Sequence, residues 1–188
     1  MTGDYHPSWR DRLRRRSRRR LLAELRSRLA PSGRRLIDLG GGSGVTTVEF
    51  GSGAREVVVL EPDERKTLRG RRAATPVTFV SGVAESIPFG DGRFDRAVSL
   101  LSFHHFTDGP RALREAARVL APGGRLVLYD IHRSSLGARW MSLFVGHRGH
   151  PAAGFATPDE LARWVSEAGF RNVRTEPFRS GTFVTGDR

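Results

Sequence analysis

The stretch RLIDLGGGSGVTTVEF, residues 35–50, decides how the rest of the chain is read. It begins with strand-forming residues and then places four glycines in five positions, at 40, 41, 42 and 44. Glycine loses more backbone freedom on folding than any other residue, so such a cluster weakens regular structure. It belongs where the chain bends sharply or where the main chain comes very close to something. In open α/β sheets, ligands bind beyond the carboxyl ends of the strands, and this cluster sits at such an end. The sequence therefore points to a ligand loop, with a bare strand-to-helix turn as the alternative.

Working outward, apolar runs of strand length alternate with helical patterns. Strands are expected at residues 35–40, 56–61, 77–82, 94–101 and 125–131, with two more at 172–178 and 182–185. The runs are apolar on consecutive positions, as expected for strands covered on both faces. Helices fit between them at residues 43–49, 63–72 and 109–120, and again at 158–168. Asp108 and Thr157 are placed to cap the last two, and Pro122-Gly123-Gly124 and Gly169 to end them. This alternation predicts an α/β domain: a Rossmann-like, doubly wound, mainly parallel seven-stranded sheet with helices on both faces. Ahead of it, residues 8–29 read as a basic helix in which Trp9, Leu13, Leu21, Leu25 and Leu29 share one row, broken by Ser17. We expect residues 1–33 to form a basic helical arm and residues 34–188 the catalytic domain.

The chain has 188 residues, enough for one domain with a real core. It has no cysteine, which excludes disulfides, zinc–thiolate sites and thiol chemistry and suits a reducing cytoplasm. The net charge of +12 is concentrated in residues 1–35, where twelve arginines face only Asp4, Asp11 and Glu24. Lys66 is the only lysine, so the bias towards arginine is discounted as a nucleic-acid signal. No apolar run approaches the roughly 20 residues that span a bilayer, so no membrane insertion is expected. Glu24, Arg26 and Arg28 interrupt what would be the apolar region of a twin-arginine export signal, so a cytoplasmic location is expected.

The ligand can be narrowed. The dinucleotide fingerprint Gly-x-Gly-x-x-Gly fails, because Val45 or Thr47 stands where its last glycine must be. The phosphate loop ending in Gly-Lys-Ser/Thr is also absent. Asp38 followed by Gly40, Gly42 and Gly44 is a tighter pattern. Glu61 closes the second strand about twenty residues on, where a carboxylate can accept bonds from both ribose hydroxyls. A nucleoside ligand without a pyrophosphate fits both features.

These pieces resemble the class I S-adenosylmethionine-dependent methyltransferases, in their small-molecule branch. DLGGGSG, VVVLEPD, GVAESIPFGDGRFDRAVSLLSFHHFTD, ALREAARVLAPGGRLVLYDI and TPDELARWVSEAGFRNV carry the likeness, in order. The resemblance implies S-adenosylmethionine as cofactor, with Gly40 and Gly42 against its methionine part and Asp38 holding the amino group. It implies that Glu61 binds the ribose and Pro62 lies near the adenine. Ala84 and Glu85 would flank the adenine through a backbone N–H and a side-chain acceptor, and Leu101 would offer its carbonyl near the amine. The family often has an acidic residue where Val83 stands, and a valine cannot accept a bond from the adenine amino group.

For the reaction, the acceptor must be aligned behind the methyl in a site that excludes water. A hydroxyl or carbon acceptor also needs a base. His105 or His104, in the SFHHFTD segment after the fourth strand, are the candidates, with His105 favoured. A long insertion, residues 132–155, carries Trp140, Met141, Phe144 and His147, which suit an acceptor pocket or the core of a short helix. His147 and His150 have no carboxylate at ligand spacing, so no metal is expected. The expected partner is a small-molecule acceptor. The rival readings are a nucleic-acid methyltransferase using the basic arm, an inactive cofactor-fold binding module, and a nicotinamide oxidoreductase.

Overall fold

The computed structural model describes residues 9–73, 76–131 and 156–188, with side chains from residue 16 onward. A long helix, α1 (Trp9–Leu29), precedes β1 (Arg35–Leu39), α2 (Val45–Gly51), β2 (Glu56–Leu60), α3 (Glu64–Arg72), β3 (Thr78–Val80) and β4 (Phe94–Leu100). A 3-10 turn (Phe103–His105) leads to α4 (Gly109–Val119), β5 (Leu120–Ile131), α5 (Pro158–Glu167), β6 (Arg171–Phe178) and β7 (Gly181–Asp187). The strands form one sheet in the order β3-β2-β1-β4-β5-β7-β6. β1 to β5 pair in parallel, whereas β7 runs antiparallel to both β5 and β6. The doubly wound, mainly parallel sheet expected from the sequence is therefore present.

Successive strand residues feed two cores. Ile37, Ala97, Leu126, Leu128 and Val184 pack on the face carrying α4 and α5, with Phe103, Leu113, Leu161 and Val165. Leu36, Val98, Val127, Tyr129 and Phe183 point to the other face, where Leu22, Leu25 and Leu29 of α1 and Phe50 of α2 cover them. This explains the consecutive apolar runs, since each position has a hydrophobic layer to enter. Leu25 and Leu29 of the expected α1 row are buried. Trp9 and Leu13 of that row lie where side chains are not described. Arg18 clamps α1 to α2 through Glu49 (2.6 Å) and Thr46 (3.4 Å), and Arg96 caps the last turn by donating to the Leu29 carbonyl.

Several boundaries differ from the sequence expectation, each for a local reason. α2 begins at Val45 rather than Ser43, because Gly44, at φ 70°, holds the left-handed turn ahead of it. β5 begins at Leu120 rather than Arg125, because the chain pairs Phe94 with Leu120 before a register shift. The glycine at 123 then donates to the Arg188 carbonyl (2.8 Å), which ties this irregular stretch to the end of the sheet. β3 is trimmed to three residues, and β7 extends from Gly181 to Asp187 because all seven of its residues find partners on β5. Asp108 caps α4 as expected, accepting from Arg111 N–H (2.9 Å). Thr157 caps α5 in a reciprocal box with Glu160. The 132–155 insertion, with Trp140, Met141, Phe144, His147 and His150, falls outside the described residues. No helix among the described residues is long and apolar enough to cross a membrane.

Candidate active site

The parallel register brings the C-terminal ends of β1, β2 and β3 level, since Leu39 pairs with Leu60 and Leu60 with Val80. Main-chain bonds continue the alignment past the strands, from Gly40 N–H to the Leu60 carbonyl (2.8 Å) and from Glu61 N–H to the Val80 carbonyl (3.1 Å). The residues that follow these strands and β4 are therefore gathered at one edge of the sheet, beside the glycine loop.

The loop answers why glycine is repeated. Gly40, Gly42 and Gly44 have φ of 78°, 61° and 70°, a region that side-chain-bearing residues rarely occupy. Gly40 also lies so close to the β4 turn that a Cβ there would meet Ser102 Cβ at 2.7 Å. Ser102 holds this junction by donating to the Leu39 carbonyl (2.8 Å) while its hydroxyl meets that of Ser99 (2.8 Å).

Under the loop, Asp38 is 2% exposed and accepts from the Thr47 hydroxyl (2.5 Å) through Oδ2. Its Oδ1 is buried and has no hydrogen-bond partner among the described residues. Burial pushes this carboxyl up to about 7; the Thr47 bond opposes the rise and the negative charge of Glu61 adds to it. Glu61 is buried too and turns back over the loop, accepting from Gly42 N–H (3.0 Å), Asp63 N–H (3.1 Å) and Lys66 Nζ (3.3 Å). Pro62 beside it is exposed. Two carboxylates against one glycine loop, one of them with an unsatisfied oxygen, suit a ligand bearing an ammonium and hydroxyl groups. That is the donor set of S-adenosylmethionine, and the residues present fit it.

The remaining expected residues are placed as follows. Ala84 is buried, whereas Val83 stands exposed where an acidic residue was looked for. Glu85 Oε1 accepts from Thr107 N–H (2.6 Å) and Asp108 N–H (3.2 Å), so the oxygen left for an adenine amino group is Oε2. Leu101 is 42% exposed and sits at φ 54°, an uncommon conformation for a branched side chain and one that concentrates at functional sites. His104 does not pack idly under the turn: its Nδ1 meets Asp130 Oδ1 at 2.7 Å and its N–H meets Asp130 Oδ2 at 3.0 Å. His105 is exposed, with its ring 3.9 Å from that of His104.

Sequence reasoning missed Lys66, Ser102 and Asp130. Asp130 carried the signal that found Asp38 and Glu61, a lone acid at the end of a buried strand. Lys66 was noticed only as the single lysine. Its ion pair with Glu61 is half exposed on the lysine side, and such pairs contribute at most about 1 kcal/mol. Lys66→Met should therefore tighten binding of S-adenosylhomocysteine by no more than about fivefold, as Glu61 no longer has to be shared. Calorimetry checks this, and a large loss of affinity would mean that Lys66 itself grips the ligand.

A sheet of this order with a glycine loop at the end of β1 and an acid closing β2 defines the nucleoside-binding class of α/β enzymes. A family model of the methyltransferase domain matches residues 14–175. An uncharacterised methyltransferase of Synechocystis is 31% identical over 156 residues, which is 80% of this chain and 73% of that protein. The chain belongs to the S-adenosylmethionine-dependent methyltransferase family. It is also 32% identical over 145 residues to a chloroplastic 2-methyl-6-phytyl-1,4-hydroquinone methyltransferase of rice, covering 74% of this chain but only 40% of the rice enzyme. Among solved structures, a SAM-dependent methyltransferase from Thermotoga maritima superposes with a TM-score of 0.76 at 24% identity, covering 92% of this chain and 90% of that one.

Proposed function

We propose that the chain transfers a methyl group to a small organic acceptor by direct in-line displacement. The observation that carries this is the buried Asp38 oxygen without a partner, set beneath a glycine loop and beside Glu61. Asp38 receives the amino group of the cofactor, and the Leu101 carbonyl lies near it. Gly40 and Gly42 let the main chain approach the methionine part, Glu61 holds the ribose, and Pro62, Ala84 and Glu85 border the adenine. When bound, the cofactor supplies a methyl group already activated on a sulfonium. The protein then has to orient the acceptor, exclude water and remove a proton. The histidine pair at 104 and 105 serves the last purpose. The likeness to a hydroquinone methyltransferase supports a ring-bearing acceptor, and the site belongs to the cytoplasm.

The test is mass spectrometry for small molecules that gain one methylene mass in a lysate supplied with the protein and labelled cofactor. Calorimetry accompanies it, with S-adenosylhomocysteine expected to bind and NAD not. Replacing both His104 and His105 with alanine should lower turnover by about 10²–10⁴-fold while leaving S-adenosylhomocysteine affinity unchanged. Undiminished turnover would remove the base from the mechanism.

Asp38 makes a pH prediction. Its folded-state carboxyl titrates near 7, above its ordinary value of 3.8. The ligand's ammonium pairs with the ionised form, so affinity for S-adenosylhomocysteine should fall about tenfold from pH 8 to pH 6. Stability of the unliganded protein runs the other way. Between about pH 4 and 7 the folded state keeps a proton that the unfolded chain releases, so stability declines as pH rises through that window. Asp38→Asn should flatten both profiles, raise the melting temperature at pH 8 and weaken binding. A profile unchanged in the variant would assign the pH dependence elsewhere.

A further inference from the structure

Charge is divided unevenly between the two faces of the sheet. Helices α1, α2 and α3 carry fifteen basic residues against four acids, whereas α4 and α5 carry four of each. The first three helices form one layer. Leu22, Leu25 and Leu29 of α1 share a core with Phe50 of α2. α3 joins them at Gly70, where a Cβ would lie 2.5 Å from the Ser43 carbonyl oxygen ahead of α2 and 2.1 Å from the Phe79 ring. A Cβ on Gly44 would meet the same ring at 2.9 Å.

The outward side of this layer is basic. The side chains that α1 exposes from residue 16 to residue 27 are five arginines, Ala23 and Ser27. The acids beside them are already engaged, since Arg18 pairs with Glu49 (2.6 Å) and Arg28 with Glu24. Arg16, Arg19, Arg20 and Arg26 stand outside these pairs. α3 adds Arg65, Arg69 and Arg72, all exposed. Against them stand Glu64 and Asp63, and Asp63 is held as the cap of its own helix by Arg65 N–H (2.9 Å). Two aliphatic side chains lie open among these charges: Val45 is 52% and Leu68 51% exposed. Each is two residues from the contact of Ser43 with Gly70. Nucleic acids are gripped by elements that enter a groove or by aromatic rings that stack on bases. The described side chains of α1 to α3 expose no such ring, since Phe50 is buried. A bilayer surface uses both features present, because its anionic headgroups attract arginine and aliphatic tips enter the boundary below them.

We propose that the α1–α3 layer docks on an anionic lipid bilayer surface, with the arginines of α1 and α3 on the headgroups and Val45 and Leu68 at the acyl boundary. The docking is peripheral, as no helix among the described residues is long and apolar enough to cross a membrane. It needs neither cofactor nor acceptor, so it goes beyond the methyltransferase reading and stands without it. The two meet at one place. Val45 follows the glycine loop directly, and Lys66 Cδ would lie 3.9 Å from a Cβ on Gly42. Docking on this layer therefore brings the glycine loop to the lipid surface.

The experiment is vesicle co-sedimentation of the full chain, without cofactor, on phosphatidylcholine alone and on phosphatidylcholine mixed with phosphatidylglycerol. Binding is expected on the mixed vesicles only. It should be lost between about 0.1 M and 1 M salt, as the screening length shortens from about 10 Å to 3 Å. Changing Arg16, Arg19, Arg20 and Arg26 together to glutamine should weaken partitioning by about a hundredfold or more. Changing Arg65, Arg69 and Arg72 to glutamine should weaken it by about tenfold or more. Leu68→Ser, which leaves the charge unchanged, should weaken it by about fivefold or more. Arg111, Arg114 and Arg163, exposed on α4 and α5, serve as the matched control, and their change to glutamine should have no effect. Melting temperatures on the same samples confirm that each variant is folded. Equal binding to both vesicles, or an equal loss in the control, overturns the proposal. So does wild-type binding by the α3 and Leu68 variants, which would reduce the contact to the α1 arm alone. A duplex RNA or DNA that strips the protein from the mixed vesicles at equal phosphate concentration would assign the face to nucleic acid instead. Failure of S-adenosylhomocysteine to bind would overturn the methyltransferase reading and leave this one standing.

Discussion

Glu61→Ala is expected to weaken S-adenosylhomocysteine binding by about a hundredfold or more. A hydrogen bond to a charged group contributes about 1.5–3 kcal/mol, and the carboxylate is assigned two, one to each ribose hydroxyl. The substitution also removes the acceptor for Gly42 and Asp63 N–H, so the loop loses its fastening to β2. Glu61→Gln separates the two effects. The amide keeps one oxygen for the loop but turns its NH2 towards a donor that the carboxylate accepted, so its loss of affinity should be intermediate and its melting temperature should fall less than that of Glu61→Ala. Calorimetry and thermal unfolding on the same samples read both quantities. Affinity close to wild type in Glu61→Ala would mean that the ribose is held elsewhere.

Gly40→Ala should lower stability through both backbone strain and a steric clash. The residue sits at φ 78°, where a side chain costs about 1–2 kcal/mol. Its Cβ would also lie 2.7 Å from Ser102 Cβ and 2.9 Å from Ser102 Oγ. Ser102 cannot yield freely, because its hydroxyl is bonded to Leu39 and Ser99. Crowding of this kind adds about 1–3 kcal/mol. For a domain of this size the melting temperature should fall by roughly 5–15 °C. Gly123 supplies the control, with φ 75° but nothing within 4 Å of a Cβ. Gly123→Ala should show only the backbone part. Equal losses at the two positions would show that the contact with Ser102 carries no weight.

The sheet was legible because its strands lie between two apolar layers. Ile37 and Leu36 enter opposite cores, and so do Leu128 and Tyr129, which leaves consecutive apolar residues in the sequence. The glycine loop was legible because three left-handed turns and a close approach leave few other residues admissible. Asp38 and Glu61 stood out as acids ending such strands. Asp130 stood in the same position on β5, but its purpose depends on a histidine 26 residues earlier, and no local pattern announces that pairing. The same holds for Glu85, whose attraction to the 107–108 main chain depends on how the β4 turn folds back.

The reversal of β7 has a consequence for how such a scaffold can diversify. Six strands deliver their last residues to the edge beside the glycine loop, whereas β7 delivers its first ones, just after the short bend at Arg179 and Ser180. Changes in that hairpin can therefore alter this edge while the opposite half of the sheet, which carries the glycine loop, Asp38 and Glu61, is inherited intact.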